Sequence, residues 1–179
     1  SYFVGGVTPI TTICTGIICL DADGGEYFLF GTPPTTGNFS GVKQRPTGDF
    51  IVYGDITDFN GYTVYGIVSL NKYGYVLPSA IYPFASGNYV EMIAIDNNDN
   101  VYIKHTANSY SGGTIGLGNF TSVVASNGNI NPAFASYSFG IGTSIKAMEV
   151  TSANNIVIGG LFTKYGGQAA INYLELTSA

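Results

Sequence analysis

Short runs of β-branched and aromatic residues, separated by glycine, asparagine, aspartate and proline, recur along the whole chain. One set reads Phe50-Ile51-Val52-Tyr53-Gly54, Thr57-Asp58-Phe59-Asn60-Gly61 and Ile67-Val68-Ser69-Leu70. Another, Ile156-Val157-Ile158-Gly159-Gly160, Thr163-Lys164-Tyr165-Gly166-Gly167 and Tyr173-Leu174-Glu175-Leu176, aligns with it without a gap. Looser copies stand in phase. Tyr2-Phe3-Val4-Gly5-Gly6 leads to Gly16-Ile17-Ile18-Cys19-Leu20-Asp21, and Val101-Tyr102-Ile103-Lys104-His105 leads to Ser122-Val123-Val124-Ala125. Runs of this length and composition, bounded by turn formers, predict strands. Val90-Glu91-Met92-Ile93-Ala94-Ile95 and Ile145-Lys146-Ala147-Met148-Glu149-Val150 each open a unit. Pro46-Thr47-Gly48-Asp49, Asp96-Asn97-Asn98-Asp99-Asn100 and Ala153-Asn154-Asn155 fall between first and second strands, where their residue types tolerate the positive φ of a hairpin turn. No window carries sustained helical periodicity.

A small supersecondary unit is written repeatedly when it cannot bury its apolar face alone. The expected fold is all-β, a repeat architecture of about four units of roughly fifty residues, each with three or four short strands. A β-propeller-like arrangement, as a small or partial ring, is the leading architecture and a β-solenoid the alternative. The units fall near residues 1–40, 41–88, 89–143 and 144–179 of a single domain. The opening unit lacks its first strand, and an unpaired edge templates association, so neighbouring subunits or domains of a larger assembly are expected. The absence of an initial methionine points the same way, to a processed chain or an excised piece.

The glycine-ended strand with F/Y-x-G behind it (Gly54 with Phe59-Asn60-Gly61, Gly160 with Tyr165-Gly166-Gly167) and the run Leu70-Asn71-Lys72-Tyr73-Gly74, followed by Pro78-Ser79, resemble the delta-sixty repeat family. That family is a β-propeller-like repeat of bacterial surface proteins and bacteriophage tail proteins. The resemblance covers most of the chain, closely in two units and loosely in the others. Where the family carries an aspartate before the proline, this chain has Leu77 and Asn131. The resemblance implies display or adhesion without catalysis, and it brings no catalytic residues with it.

Composition fits an extracellular or virion setting. Only 9% of residues are charged, while 14 tyrosines and 25 glycines fill polar and turn positions. The net charge is −5 and the six basic residues stand singly, so a phosphate backbone finds no footprint and nucleic acid is not an expected partner. No apolar run reaches the length of a membrane helix, so membrane insertion is not expected either.

Candidate chemistry is sparse. Asp21-Ala22-Asp23-Gly24-Gly25-Glu26 and Asp96-Asn97-Asn98-Asp99-Asn100 have the alternate-oxygen spacing of calcium loops, but both occupy turn slots, and turn chemistry explains them. No metal or cofactor is expected. His105 is the sole histidine, which excludes most histidine-based zinc sites. Lys104-His105 takes the place of Tyr53-Gly54 and Gly159-Gly160, and a repeat that breaks its own rule marks a candidate site, with divergence of a tolerant unit as the plainer reading. No G-x-S-x-G elbow is present and no catalytic residue is assigned. Cys14 and Cys19 sit on opposite faces of a continuous strand, so a disulfide would need a bend at Gly16. Asn38-Phe39-Ser40 and Asn119-Phe120-Thr121 are glycosylation sequons that matter only in a eukaryotic secretory pathway.

Tyrosine offers a ring for sugar faces and a hydroxyl for polar groups at small entropic loss. Tyr62 and Tyr110, in the connections between strands, join Lys104 and His105 as the candidate ligand-binding residues. The expected function is a recognition or adhesion module of a phage tail fibre or bacterial surface protein, binding cell-surface glycan or protein. A purely structural virion or surface component is the alternative, and a polysaccharide-cleaving enzyme the third.

Overall fold

The computed structural model describes residues 18–20, 26–29, 37–81, 84, 87–106, 109–110, 113–114, 120–124, 139 and 144–177. The described residues form strands and turns without a helix, so the fold is all-β, and no helix is long and apolar enough to cross a membrane. Cys14, the 21–25 loop, Asn119 and the side chain of Cys19 lie outside what is described.

Strands β1 (Ile18–Leu20) and β2 (Glu26–Leu29) pair antiparallel. Next come β3 (Gly37–Gln44), β4 (Phe50–Ile56), the short pair β5 (Asp58–Phe59) and β6 (Tyr62–Thr63), then β7 (Ile67–Leu70) and β8 (Val76–Ile81). They form a four-stranded sheet, β3-β4-β7-β8, with β5-β6 as a separate hairpin between β4 and β7. The same order follows in β9 (Val90–Ile95), β10 (Asn100–His105), the pair β11 (Ser109–Tyr110) and β12 (Gly113–Thr114), and β13 (Phe120–Val124). It returns in β14 (Ser144–Val150), β15 (Ile156–Leu161), the pair β16 (Lys164–Tyr165) and β17 (Gln168–Ala169), and β18 (Tyr173–Leu176). We call the three larger sheets first, second and third. β3 reaches back to Gly37, across the 40/41 boundary expected from the sequence, because a bulge between Phe39 and Gly41 breaks the alternation there.

Hydrogen bonds match between sheets. Gly54 N–H donates to Gly66 O, Gly66 N–H to Ile56 O and Val64 N–H to Thr57 O. Their counterparts are Gly160 to Asn172, Asn172 to Phe162 and Ala170 to Thr163. All three first-to-second strand turns carry one pattern, a type I turn closed by a residue of positive φ: Gly48 (88°), Asp99 (64°) and Asn154 (65°). Each central strand also meets a register shift at one place, before Gly54, before His105 and before Gly160.

The sheets pack face to face. Alternation sends Ile51 and Tyr53 to one side of β4, where with Ile67 they meet Val90, Ile93, Val101, Ile103 and Phe84. Phe50 and Val52 point to the other side, into a core with Ile56, Phe59, Val64, Val68 and Leu70. On the far side of the second sheet Ala94 and Tyr102 meet Ile145, Met148, Ile156 and Ile158, sealed by Phe120, Phe139, Phe162 and Tyr165. Each sheet therefore shows a rear face to its predecessor and a forward face to its successor.

Polar seams tie the turns together. Asn97 N–H donates to Asn154 Oδ1 at 2.7 Å, joining the second sheet to the third. At the first turn the position matching Asn97 is Pro46, which has no N–H to give. The neighbouring Arg45 supplies the link instead: its guanidinium, 6% exposed, holds Asp99 through Nε–Oδ1 at 3.0 Å and through Nη2–Oδ2. The fork matches the carboxylate bidentately, the geometry in which a buried charge is best compensated.

Candidate functional site

With the turns seamed at one end of the stack, the short hairpins that follow β4, β10 and β15 gather at the other. In β5-β6 the side chain of Phe59 is buried, and Asn60 and Gly61 turn the chain with φ of 52° and 79°. Gly166 and Gly167 repeat this at 56° and 80° in β16-β17. Both central positions need positive φ in this two-residue turn, which is why Asn-Gly and Gly-Gly stand there. With its neighbour anchored, Tyr62 is turned outward and is 41% exposed.

The second sheet comes close to the first at Gly66. A side chain at Gly66 (φ 82°) would meet Val90 N at 3.1 Å and Tyr89 Cα at 3.2 Å, so this glycine lets the start of β9 lie against the first sheet. Tyr89, 40% exposed, is held by Thr106, whose Oγ1 accepts its N–H at 3.0 Å. Lys104, on the central strand opposite Met92 and Phe120, pairs with the carboxylate of Glu91 at the bulge. The pair is partly exposed, so it orients two polar heads rather than anchoring the fold.

The expected site residues therefore separate. Tyr62 is exposed at the hairpin end, while the Lys104 side chain is largely buried against Glu91, 16% exposed. His105 is fully buried in the core between first and second sheets, its ring 5.1 Å from that of Phe84. Tyr110 pairs with Gly113 in β11-β12, and its side chain lies outside what is described. Sequence reasoning placed Tyr89 among the tyrosines of the strand connections without choosing it, and it missed Glu91. Glu91 had a signal, since it is the only charged residue between Lys72 and Asp96 and stands inside an apolar opening strand.

Other aromatic groups stand at the turn end. Asn71 Oδ1 accepts N–H from Tyr73 and Tyr75, and Asp49 Oδ1 accepts from Lys72, which fixes a turn carrying Tyr73 (54% exposed) and Tyr75 (70%). Lys72 Nζ lies 5.0 Å from the Tyr73 ring centre, in cation–π contact. The 96–100 stretch is a turn whose carboxylate is fully engaged. Asp96 Oδ1 accepts from the N–H of Asn98 and Asn100, and Oδ2 accepts from Asn100 Nδ2 and Tyr102 OH. Among the described residues no group of histidine, cysteine, aspartate and glutamate is placed to hold a metal ion.

Comparison with protein-family models, with curated proteins and with solved structures finds no match to this chain.

Proposed function

We propose that this chain is a non-enzymatic recognition module, built from repeated β units in a partial, propeller-like ring, that binds cell-surface glycan or protein. The observation carrying this reading is the hairpin end of the first and second sheets. There Tyr62 and Tyr89 are exposed, and the partly exposed Lys104–Glu91 pair lies at the same end of the second sheet, on a scaffold fixed by packed sheets. Tyrosine rings stack on the C–H faces of sugars, and an ammonium with a carboxylate offers donors and acceptors for hydroxyls. The matched hydrogen bonds of first and third sheets support the repeat, and the scarcity of charge supports an extracellular or virion setting, as in the delta-sixty repeat proteins it resembles.

The test is binding of the purified protein to a broad glycan array and to intact bacterial cells, repeated with Tyr62→Ala and Tyr89→Ala. Each variant should fold normally and bind roughly 5–30-fold more weakly, the effect of losing about 1–2 kcal/mol. Silence of the folded protein on both surfaces, or unchanged affinity in both variants, would sink the reading. A structural assembly role is the second reading, favoured by the apolar forward face of the third sheet.

A further inference from the structure

The core between the first two sheets is made, on the first sheet's side, by Ile51, Tyr53 and Ile67, with Tyr65 packed against its edge. Their counterparts on the third sheet are Val157, Gly159, Tyr173 and Ile171. Nothing in the described structure covers them: Ile171 is 71% exposed and Tyr173 57%. Tyr173 stands opposite Gly159, and Leu161, two residues along β15 on the same face, is 64% exposed. Three large apolar side chains thus share one sheet face at its hairpin end, a concentration that marks an interaction surface.

The charges on this face select its occupant. Glu149 and Glu175 both stand opposite Val157, at the turn end, and both are exposed. Glu175 accepts from Asn155 Nδ2 at 2.7 Å and from the Tyr173 hydroxyl at 3.2 Å. Lys146, at the β14 bulge, and Lys164, on β16, are exposed at the hairpin end. A further sheet stacked like the second upon the first would bring a rear face such as Val90, Ile93, Val101 and Ile103, wholly apolar, over two carboxylates. Burying carboxylates without cations is strongly unfavourable. The same sheet turned end for end has what is needed, because its exposed lysines stand at the end opposite its glutamates.

We infer that two copies of this chain associate through the open faces of their third sheets, about a two-fold axis running across the strands. Lys146 and Lys164 of each copy approach Glu149 and Glu175 of the other, and Leu161, Ile171 and Tyr173 close over the second copy's Val157. The contact is isologous, so it closes at two chains and needs no other component.

Sedimentation velocity across a concentration series in low salt tests this. The wild type should sediment as two chains at high concentration, while Ile171→Asp and Tyr173→Asp should dissociate at least about tenfold more readily with unchanged melting temperature. Lys146→Glu should also weaken the pair, and Lys146→Glu combined with Glu149→Lys should restore it. A single-chain mass at every concentration overturns the inference, as does a dimer indifferent to both aspartate variants. Mass is read without any ligand, so this outcome is independent of the recognition test.

Discussion

At the scale of single residues, Tyr102 has the most telling surroundings. It is fully buried, and its hydroxyl donates to Asp96 Oδ2 at 3.0 Å, the oxygen that also accepts from Asn100. Burial pushes its pKa well above the ordinary 10.0, and the nearby Asp96 charge adds to the shift. Burial raises Tyr53 as well. An unfolded chain ionises its tyrosines near the ordinary value, while the folded one holds these protons. Above that pH the unfolded state binds fewer protons, so the stabilisation is complete below pH 10.0 and declines as pH rises beyond it. Urea unfolding followed from about pH 9 to about pH 11 should show the midpoint falling. Tyr102→Phe should fall less steeply, after losing about 1 kcal/mol at neutral pH with the hydrogen bond to Asp96. An unchanged slope in that variant would assign the effect to other groups.

At the scale of elements, the bulge sets the rules. A Cβ on Gly160 would lie 2.2 Å from Ser144 O and 2.9 Å from Ile145 Cα, both backbone atoms that no rotamer change relieves. Gly160→Ala should therefore destabilise the protein by about 1–3 kcal/mol, read as a lower melting temperature by circular dichroism. Gly61→Ala meets no atom within 4 Å and isolates the effect of positive φ alone. Strands and turns were legible in the sequence, because alternation, β-branching and Asn/Gly corners are local properties. The bulges were not: a register shift depends on the partner strand, and the start of β3 at Gly37 went unread for that reason. At the site, the outward position of Tyr62 follows from Asn60-Gly61 beside it. The burial of His105 does not, because Phe84 and the facing sheet decide it. In the bulge slot held by Gly54 and Gly160, His105 adjoins a ladder that closes through the Thr106 hydroxyl rather than by backbone alone. Tyr89 was legible as a tyrosine of a strand connection, but its place against the first sheet was not, since that rests on the missing side chain of Gly66.

At the scale of the molecule, stability is shared across sheets. The Phe139 ring centre lies 4.9 Å from those of both Phe162 and Tyr165 and 5.6 Å from that of Phe120, in edge-on and tilted contacts that join β13 of the second sheet to the hairpin region of the third. Phe139→Ala should lower stability by about 3–5 kcal/mol, with amide exchange in β10 and β15 accelerating together. Acceleration confined to one sheet would mean that the two unfold separately. The polar seams have a different consequence, for protein engineering. Each seam asks for an Asn or Asp at the positive-φ corner of the receiving turn, while the giving turn needs only a backbone N–H. A sheet grafted into this stack could therefore vary freely at the donor corner, with one exclusion: a proline there must bring its own arginine.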